Sequence, residues 1–267
     1  MPPVQVAKCE SLLNDFCVVE ASPSVRWTGA KARAICDRRT GIGADGLIVL
    51  QRRQTRDFQF RLFNADGSGA EWSGNGVRCA AAYLLHEHQI QTATLATKAG
   101  EIAVSMRPAR AGRAAVSFDR PMPLVVEMRE AKKSSVLPGS GIPLFVDAGN
   151  PHLVFIALHF NFNWETVGAK CQAAATKTHG VNVEFVVIQN RRRIEMRIFE
   201  RGVGPTPSSG SGALAAFAAC RYRELVDSSV LAESPGGIQR LKFNQRHQSA
   251  ALTAPARVVS IGTWFGN

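Results

Sequence analysis

Two short segments of this chain, Ser73-Gly74-Asn75-Gly76 and Ser209-Gly210-Ser211-Gly212, look like copies of one device. Each stands where a loop runs into an apolar, Ala-rich stretch, Val77–Leu85 after the first and Ala213–Tyr222 after the second. The layout reads as a small hydroxyl side chain at a helix N-terminus, followed by glycines that leave backbone N–H groups free. Such an end is an anion site, because the first amides of a helix lack partners and the helix dipole is positive there. Two of them in one chain suit a single carboxylate held from two sides, with one side chain on each face of the neighbouring carbon. That arrangement is what moving a proton between the faces of a carbon requires. Both side-chain positions are serine.

The rest of the chain repeats around these segments. Val18-Val19, Gly46–Leu50, Phe58–Phe63, Ala93–Thr97 and Ile102–Met106 read as short strands between Gly-rich and polar turns. Helical patterning is strongest at Thr28–Asp37 and Gly76–His86. After a Pro- and Gly-containing stretch, Arg120–Gly141, the alternation resumes with strands at Leu144–Asp147, Leu153–Ala157, Val183–Ile188 and Ile194–Phe199 and a helix at Gly212–Leu225. Each half therefore runs strands, Ser-Gly-x-Gly, apolar helix, strands, which is an internal repeat of about half the chain. A ligand site is expected in the cleft between the halves.

Composition narrows the function classes. The 267 residues suffice for one large or two modest domains, and 45% hydrophobic with 20% charged residues is ordinary for a globular protein. No apolar run has the length of a membrane span, and Met1–Glu10 lacks the hydrophobic core of a signal peptide, so a cytoplasmic protein without a membrane partner is expected. The six cysteines, at 9, 17, 36, 79, 171 and 220, show no C-x-x-C pair and are read as reduced thiols, Cys79 and Cys220 as core residues. The net charge of +11 comes from arginines spread along the chain. Without aromatic–basic interleaving or finger spacing it is read as a solvated surface that draws in anionic small molecules, not as a nucleic-acid interface. The run Arg191-Arg192-Arg193 follows Gln189-Asn190, taken as a hairpin turn. His86 and His88, two apart on a helix, diverge, and no metal site follows.

A family resemblance now emerges from several motifs in order. Asn14-Asp15-Phe16 is followed by Arg39-Thr40-Gly41-Ile42-Gly43-Ala44-Asp45-Gly46-Leu47, then by Phe63-Asn64-Ala65-Asp66-Gly67-Ser68 and Ser73-Gly74-Asn75-Gly76-Val77-Arg78-Cys79. Gly149-Asn150-Pro151-His152, Asn182-Val183, Glu200-Arg201-Gly202-Val203-Gly204, Ser209-Gly210-Ser211-Gly212-Ala213 and Ala254-Pro255-Ala256-Arg257-Val258-Val259 complete the series. Over nearly its whole length the chain resembles the diaminopimelate epimerase family.

That resemblance implies an α/β (α+β) fold of two pseudo-symmetric domains, each a curved sheet or barrel around a central helix. One would comprise residues 1–119 with 250–267, the other residues 120–249, with the active site between them. It also implies a cofactor-independent isomerase, a homodimer acting on a small amino acid or dicarboxylate. In the family one cysteine thiolate removes the α-proton and a second thiol returns one to the opposite face. A thiol suits both tasks because its pKa, about 8.5, falls further at a helix N-terminus. Carried onto this sequence, the catalytic positions are Ser73, Ser209, His152 and Glu200. The substrate-binding positions are Asn14, Asn64, Gly74, Asn75, Asn150, Asn182, Arg201, Gly210 and Ser211. Arg201 is suited to a bidentate carboxylate contact.

The departure lies at the chemistry itself. Ser73 and Ser209 occupy the two cysteine positions, and a hydroxyl, far less acidic than a thiol, needs a neighbouring base. His152 and Glu200 are the candidates. Serine is also a good helix N-cap, which gives each position a purely structural role. The surroundings differ as well: Pro205-Thr206-Pro207-Ser208 precedes Ser209, Glu71-Trp72 precedes Ser73, and Gly69 stands where the family favours an acidic residue. The divergence thus extends into the pocket. Three functions remain open: α-carbon epimerisation, movement of a double bond or tautomeric proton with Glu200 or His152 as base, and carboxylate binding without catalysis.

Overall fold

A helix that is apolar on every face must be wrapped on every side. Both Ala-rich segments are wrapped in this way in a computed structural model that describes residues 2–127, 143–174 and 180–266. The chain divides into two compact units, residues 1–119 with 253–267 and residues 120–252.

The first unit opens with strands β1 (Val4–Ser11) and β2 (Asn14–Glu20), helix α1 (Gly29–Cys36), and strands β3 (Gly46–Gln54), β4 (Asp57–Asn64) and β5 (Gly69–Ala70). Helix α2 (Gly74–His88) and strands β6 (Thr92–Thr97), β7 (Gly100–Pro108) and β8 (Ala114–Pro121) follow. The second unit holds β9 (Leu124–Glu127), β10 (Leu144–Asp147), β11 (Pro151–Ala157), α3 (Trp164–Ala174), β12 (Asn182–Asn190), β13 (Arg193–Glu200) and β14 (Gly204–Thr206). It continues with α4 (Gly210–Tyr222), β15 (Ser229–Ser234) and β16 (Gly237–Asn244), and β17 (Ser249–Trp264) then enters the first unit.

In the first unit β1 pairs antiparallel with β17 and β2, β2 parallel with β3, β3 antiparallel with β4, β4 parallel with β6, and β6 through β8 antiparallel in turn. The β8–β17 pairing closes the ring, so the strands form a barrel without an open edge. α2 fills it: Gly74 through Leu84 are all buried. α1 packs outside the barrel, with Ala32, Ile35 and Cys36 joining Trp27, Leu47 and Val49 in one core cluster. Trp27 stacks on Trp264 of β17 at 5.9 Å.

The second unit repeats the pattern. β9 with β10, β10 with β11 and β12 with β13 are antiparallel, β11 with β12 and β13 with β15 parallel, and β15 with β16 antiparallel. α4 is buried from Gly212 to Cys220. Register makes the repeat exact to the residue. Phe16 faces Gly46 as His152 faces Asn182, and Leu47 faces Phe63 as Val183 faces Phe199. One constant offset relates these pairs and also takes Ser73 to Ser209, Gly76 to Gly212, Asn14 to Asn150 and Asn64 to Glu200.

Several expectations need correction. The strands at 18–19 and 153–157 are longer, and β1, β5, β8, β9 and β14 through β17, with helix α3, were not anticipated. The turn of the β12–β13 hairpin is Arg191-Arg192, not Gln189-Asn190. A register shift between Ile188 and Asn190 carries the strand one step further, and Asn190 Oδ1 then accepts the Arg192 amide at 2.8 Å. Of the stretch expected as a connector, 124–127 is strand, while residues 128–142 lie outside the described residues.

In unit 2, α3 docks through Gly168: an added Cβ there would meet Phe199 ring atoms at 2.6 Å. Gly168→Ala should therefore lower stability by about 1–3 kcal/mol through overpacking, measured by urea unfolding. An unchanged midpoint would show that the helix does not dock this closely.

Candidate active site

Each central helix begins with serine as N-cap. Ser73 is extended (φ −144°, ψ 130°) and its Oγ accepts the Gly76 amide at 3.1 Å. Ser209 repeats this (φ −143°, ψ 135°), its Oγ accepting the Gly212 amide at 3.1 Å. Both hydroxyls thus serve as caps, and each keeps its own proton to donate. The amides of Gly74 and Asn75, and of Gly210 and Ser211, lie outside the helical ladder at the positive end of the dipole. Glycine at the third position sits close against its neighbours. A Cβ on Gly76 would lie 3.2 Å from Ser73 Cβ, and one on Gly212 would lie 2.7 Å from Glu184 Oε1.

At the first helix end Asn75 is buried and tied on both sides. Its Oδ1 accepts from Arg78 Nη1 at 2.8 Å, and its Nδ2 donates to Asn14 Oδ1 at 3.4 Å. Asn14 Nδ2 in turn donates to Asp45 Oδ2 at 2.7 Å. Arg78 is fully buried, its guanidinium 5.3 Å from the centre of the Phe118 ring, and burial pushes its pKa down to about 10. It remains a cation at neutral pH, one turn inside the helix. Asn64, exposed at the end of β4, donates from Nδ2 to Ser68 Oγ at 2.9 Å.

At the second helix end Gln239 Nε2 donates to the Ser209 carbonyl at 3.0 Å, and the Ser211 and Ser209 hydroxyls lie 3.4 Å apart. His152 is fully buried, with Nδ1 2.8 Å from Glu184 Oε1 and Nε2 2.9 Å from Asn150 Oδ1. Both ring nitrogens are engaged inside the protein, so a relay from His152 to a serine needs one of these bonds to break. Glu184 was not among the residues marked from the sequence. It lies in an apolar strand, and only register brings it to His152 from the neighbouring parallel strand. Asn182 acts as a tie, its Nδ2 donating to the Pro151 carbonyl at 3.1 Å while its Oδ1 accepts the Arg201 amide at 2.9 Å. Glu200 is half-buried and Arg201 exposed.

A cavity of about 630 Å³ in the second unit, lined by Arg191, Arg192, Arg221, Arg240 and Asp227, is not at this helix end. Arg221 belongs to the last turn of α4, about 18 Å along the axis from Ser209 at 1.5 Å per residue. His86 and His88 have separate carboxylate partners, Glu87 and Glu20. Among the described residues no helix is long and apolar enough to cross a membrane.

No other thiol takes the place of the missing pair. All six cysteines are free, and Cys79 and Cys220 are fully buried within α2 and α4. Burial raises the Cys79 thiol well above its usual range and pushes Cys17, Cys36 and Cys220 up to about 12. A thiol reagent at pH 8 should label the half-buried Cys171 first in the native protein and the others only on unfolding, followed by mass spectrometry. Rapid labelling of Cys79 or Cys220 would contradict this burial.

Comparison with known proteins accords with this geometry. The diaminopimelate epimerase family model matches residues 6–120 and 144–259. The diaminopimelate epimerase of Halorhodospira halophila is 33% identical over 97% of this chain and 94% of its own length. Two solved structures share the fold. A predicted epimerase from Pseudomonas aeruginosa has a TM-score of 0.77 at 14% identity and covers 99% of this chain and 100% of its own. A hydroxyproline epimerase from Agrobacterium vitis with bound trans-4-hydroxy-L-proline has a TM-score of 0.71 at 14% identity, covering 99% and 92%. A family match that spans both repeats, with the capped helix at the centre of each, identifies the chain as a member of the diaminopimelate epimerase family and an isomerase of that fold.

Proposed function

We propose that this chain is a cofactor-independent isomerase acting at the α-carbon of an amino acid or related carboxylate. The two helix ends would hold one α-carboxylate, with Ser73 and Ser209 on opposite faces of the α-carbon. The observation that carries this reading is the repeated cap, in which each serine Oγ receives the amide three residues on, at the positive end of a buried helix suited to an anion. Asn64, Asn182, Glu200 and Arg201, at the family's positions for the distal end of its substrate, support an amino diacid as ligand. The reading takes a homodimer in the cytoplasm, with no nucleic-acid or membrane partner.

Serine sets the rate. A hydroxyl returns a proton readily but removes one poorly, so epimerisation is expected to be slow. The serines equally favour a second reading, in which the substrate proton is more acidic and shifts with a double bond or tautomer. Glu200 or His152 is then the base, and His152 must first release one of its two hydrogen bonds. Carboxylate binding without catalysis is the limiting case.

The test is α-proton exchange from LL-diaminopimelate in D₂O, followed by NMR, for the wild-type chain and the Ser73→Cys/Ser209→Cys variant. The proposal predicts slow exchange in the wild type and a rise of about 10²-fold or more in the variant, the scale of a well-matched acid–base pair. Exchange in neither would overturn it and direct the search to other carboxylates.

A further inference from the structure

The two helix ends repeat in their backbone and caps but not in what lies beneath them. The constant offset between the units places Phe16 opposite the role of His152, and Ile48 opposite that of Glu184. Beneath Gly76 the neighbouring side chain is therefore a methyl: a Cβ on this glycine would lie 3.5 Å from Ile48 Cδ1. Beneath Gly212 it is a carboxylate, with Glu184 Oε1 2.7 Å from the corresponding position. The first end has a buried apolar pair where the second has a buried histidine and a buried glutamate.

The protons of that pair can be counted. Asn150 Oδ1 only accepts, so His152 Nε2 carries a hydrogen. The 2.8 Å contact between Nδ1 and Glu184 Oε1 needs one more proton, placed on either atom. Imidazolium with carboxylate, or imidazole with carboxylic acid, gives the same sum: the pair is net neutral and holds one proton on the shared bond. Neutrality is what full burial of both side chains demands, since an unpaired buried charge is costly. Among the described residues Glu184 Oε2 is buried without a hydrogen-bond partner, so there His152 is the side chain that satisfies this carboxyl group. Gly212, whose missing Cβ admits the carboxyl group, is also the residue whose amide binds Ser209 Oγ.

We infer that Glu184 is a positioning residue that acts through His152 to fix a buried proton beneath the second helix end, making the Ser209 end chemically distinct from the Ser73 end. The inference rests on the proposed reaction for its consequence in turnover, but the pairing itself is independent of that reading. An isomerase that works in both directions with two identical hydroxyls has no built-in difference between its faces. The His152–Glu184 pair supplies one.

The experiment has two readouts. In wild-type protein labelled with ¹⁵N-histidine, and assigned by loss in His152→Gln, two slowly exchanging downfield protons should belong to the His152–Glu184 pair, one on Nε2 and one on the Nδ1–Glu184 bond, the second ¹⁵N-coupled if it rests on nitrogen and uncoupled if it rests on oxygen. Folded Glu184→Gln should keep one and lose the other. In the α-proton exchange assay on the Ser73→Cys/Ser209→Cys background, Glu184→Gln should lower kcat about tenfold or more with KM unchanged, and Glu184→Asp should recover part of the loss. A wild-type spectrum without a slowly exchanging proton on the Nδ1–Glu184 bond, bound to either nitrogen or oxygen, a Glu184→Gln spectrum that retains both, or wild-type kcat in folded Glu184→Gln would each overturn the inference. If no variant exchanges any substrate proton, the reaction assigned above falls, and the ring-proton comparison alone decides the role of Glu184.

Discussion

Everything at this site depends on a helix start enclosed in protein. α2 and α4 are buried on nearly all faces, so their first amides cannot all turn to bulk water as they do in a surface helix. One serine oxygen satisfies the third-position amide in each, and the glycine there packs close against that serine. The remaining amides and the dipole create a demand for negative charge at a fixed place. The proposed anion recognition would then be a by-product of how the central helix is started, inside a barrel that β17 closes in the first unit.

Duplication then gives the second helix start at no further structural invention, and divergence makes the two ends different. Asn14 and Asn150 show how. Asn14 opens β2 and Asn150 stands just before β11, yet Asn14 bonds Asn75 and Asp45 while Asn150 bonds His152. The first end is organised by the buried Arg78 cation acting through Asn75, the second by the buried His152–Glu184 pair. Serine in place of cysteine changes the acidity at both ends without disturbing the cap, because either oxygen or sulfur can accept the glycine amide. Lost acidity and retained structure can therefore coexist in this chain.

The parts of this design that were legible in the sequence are those written in local residue types. Ser-Gly-x-Gly before an Ala-rich run is a start signal in its own right, and α2 and α4 begin directly after each serine, at Gly74 and Gly210, two residues earlier than the apolar patterning alone placed them. β17 was hidden because Pro255 sits inside it, and proline argues against a paired strand; its carbonyl still accepts the Ser11 hydroxyl. α3 was hidden because it buries little beyond Val167 and Gly168, too little to show a period. Glu184 was hidden for a different reason. In Val183-Glu184-Phe185 it looks like a solvent-facing break in an apolar strand, and only the parallel register with β11 reveals that it faces inward to His152. Local chemistry is written in the sequence; partners from separate strands are written in the register.

The central claim is that two separate helix starts bind one carboxylate. Backbone amide NMR during titration with an amino dicarboxylate such as LL-diaminopimelate tests it most directly, read at Gly74, Asn75, Gly210 and Ser211. The account predicts that all four amides shift together along a single binding curve. Shifts confined to one helix start, two curves of different midpoint, or no shift at either start would contradict it.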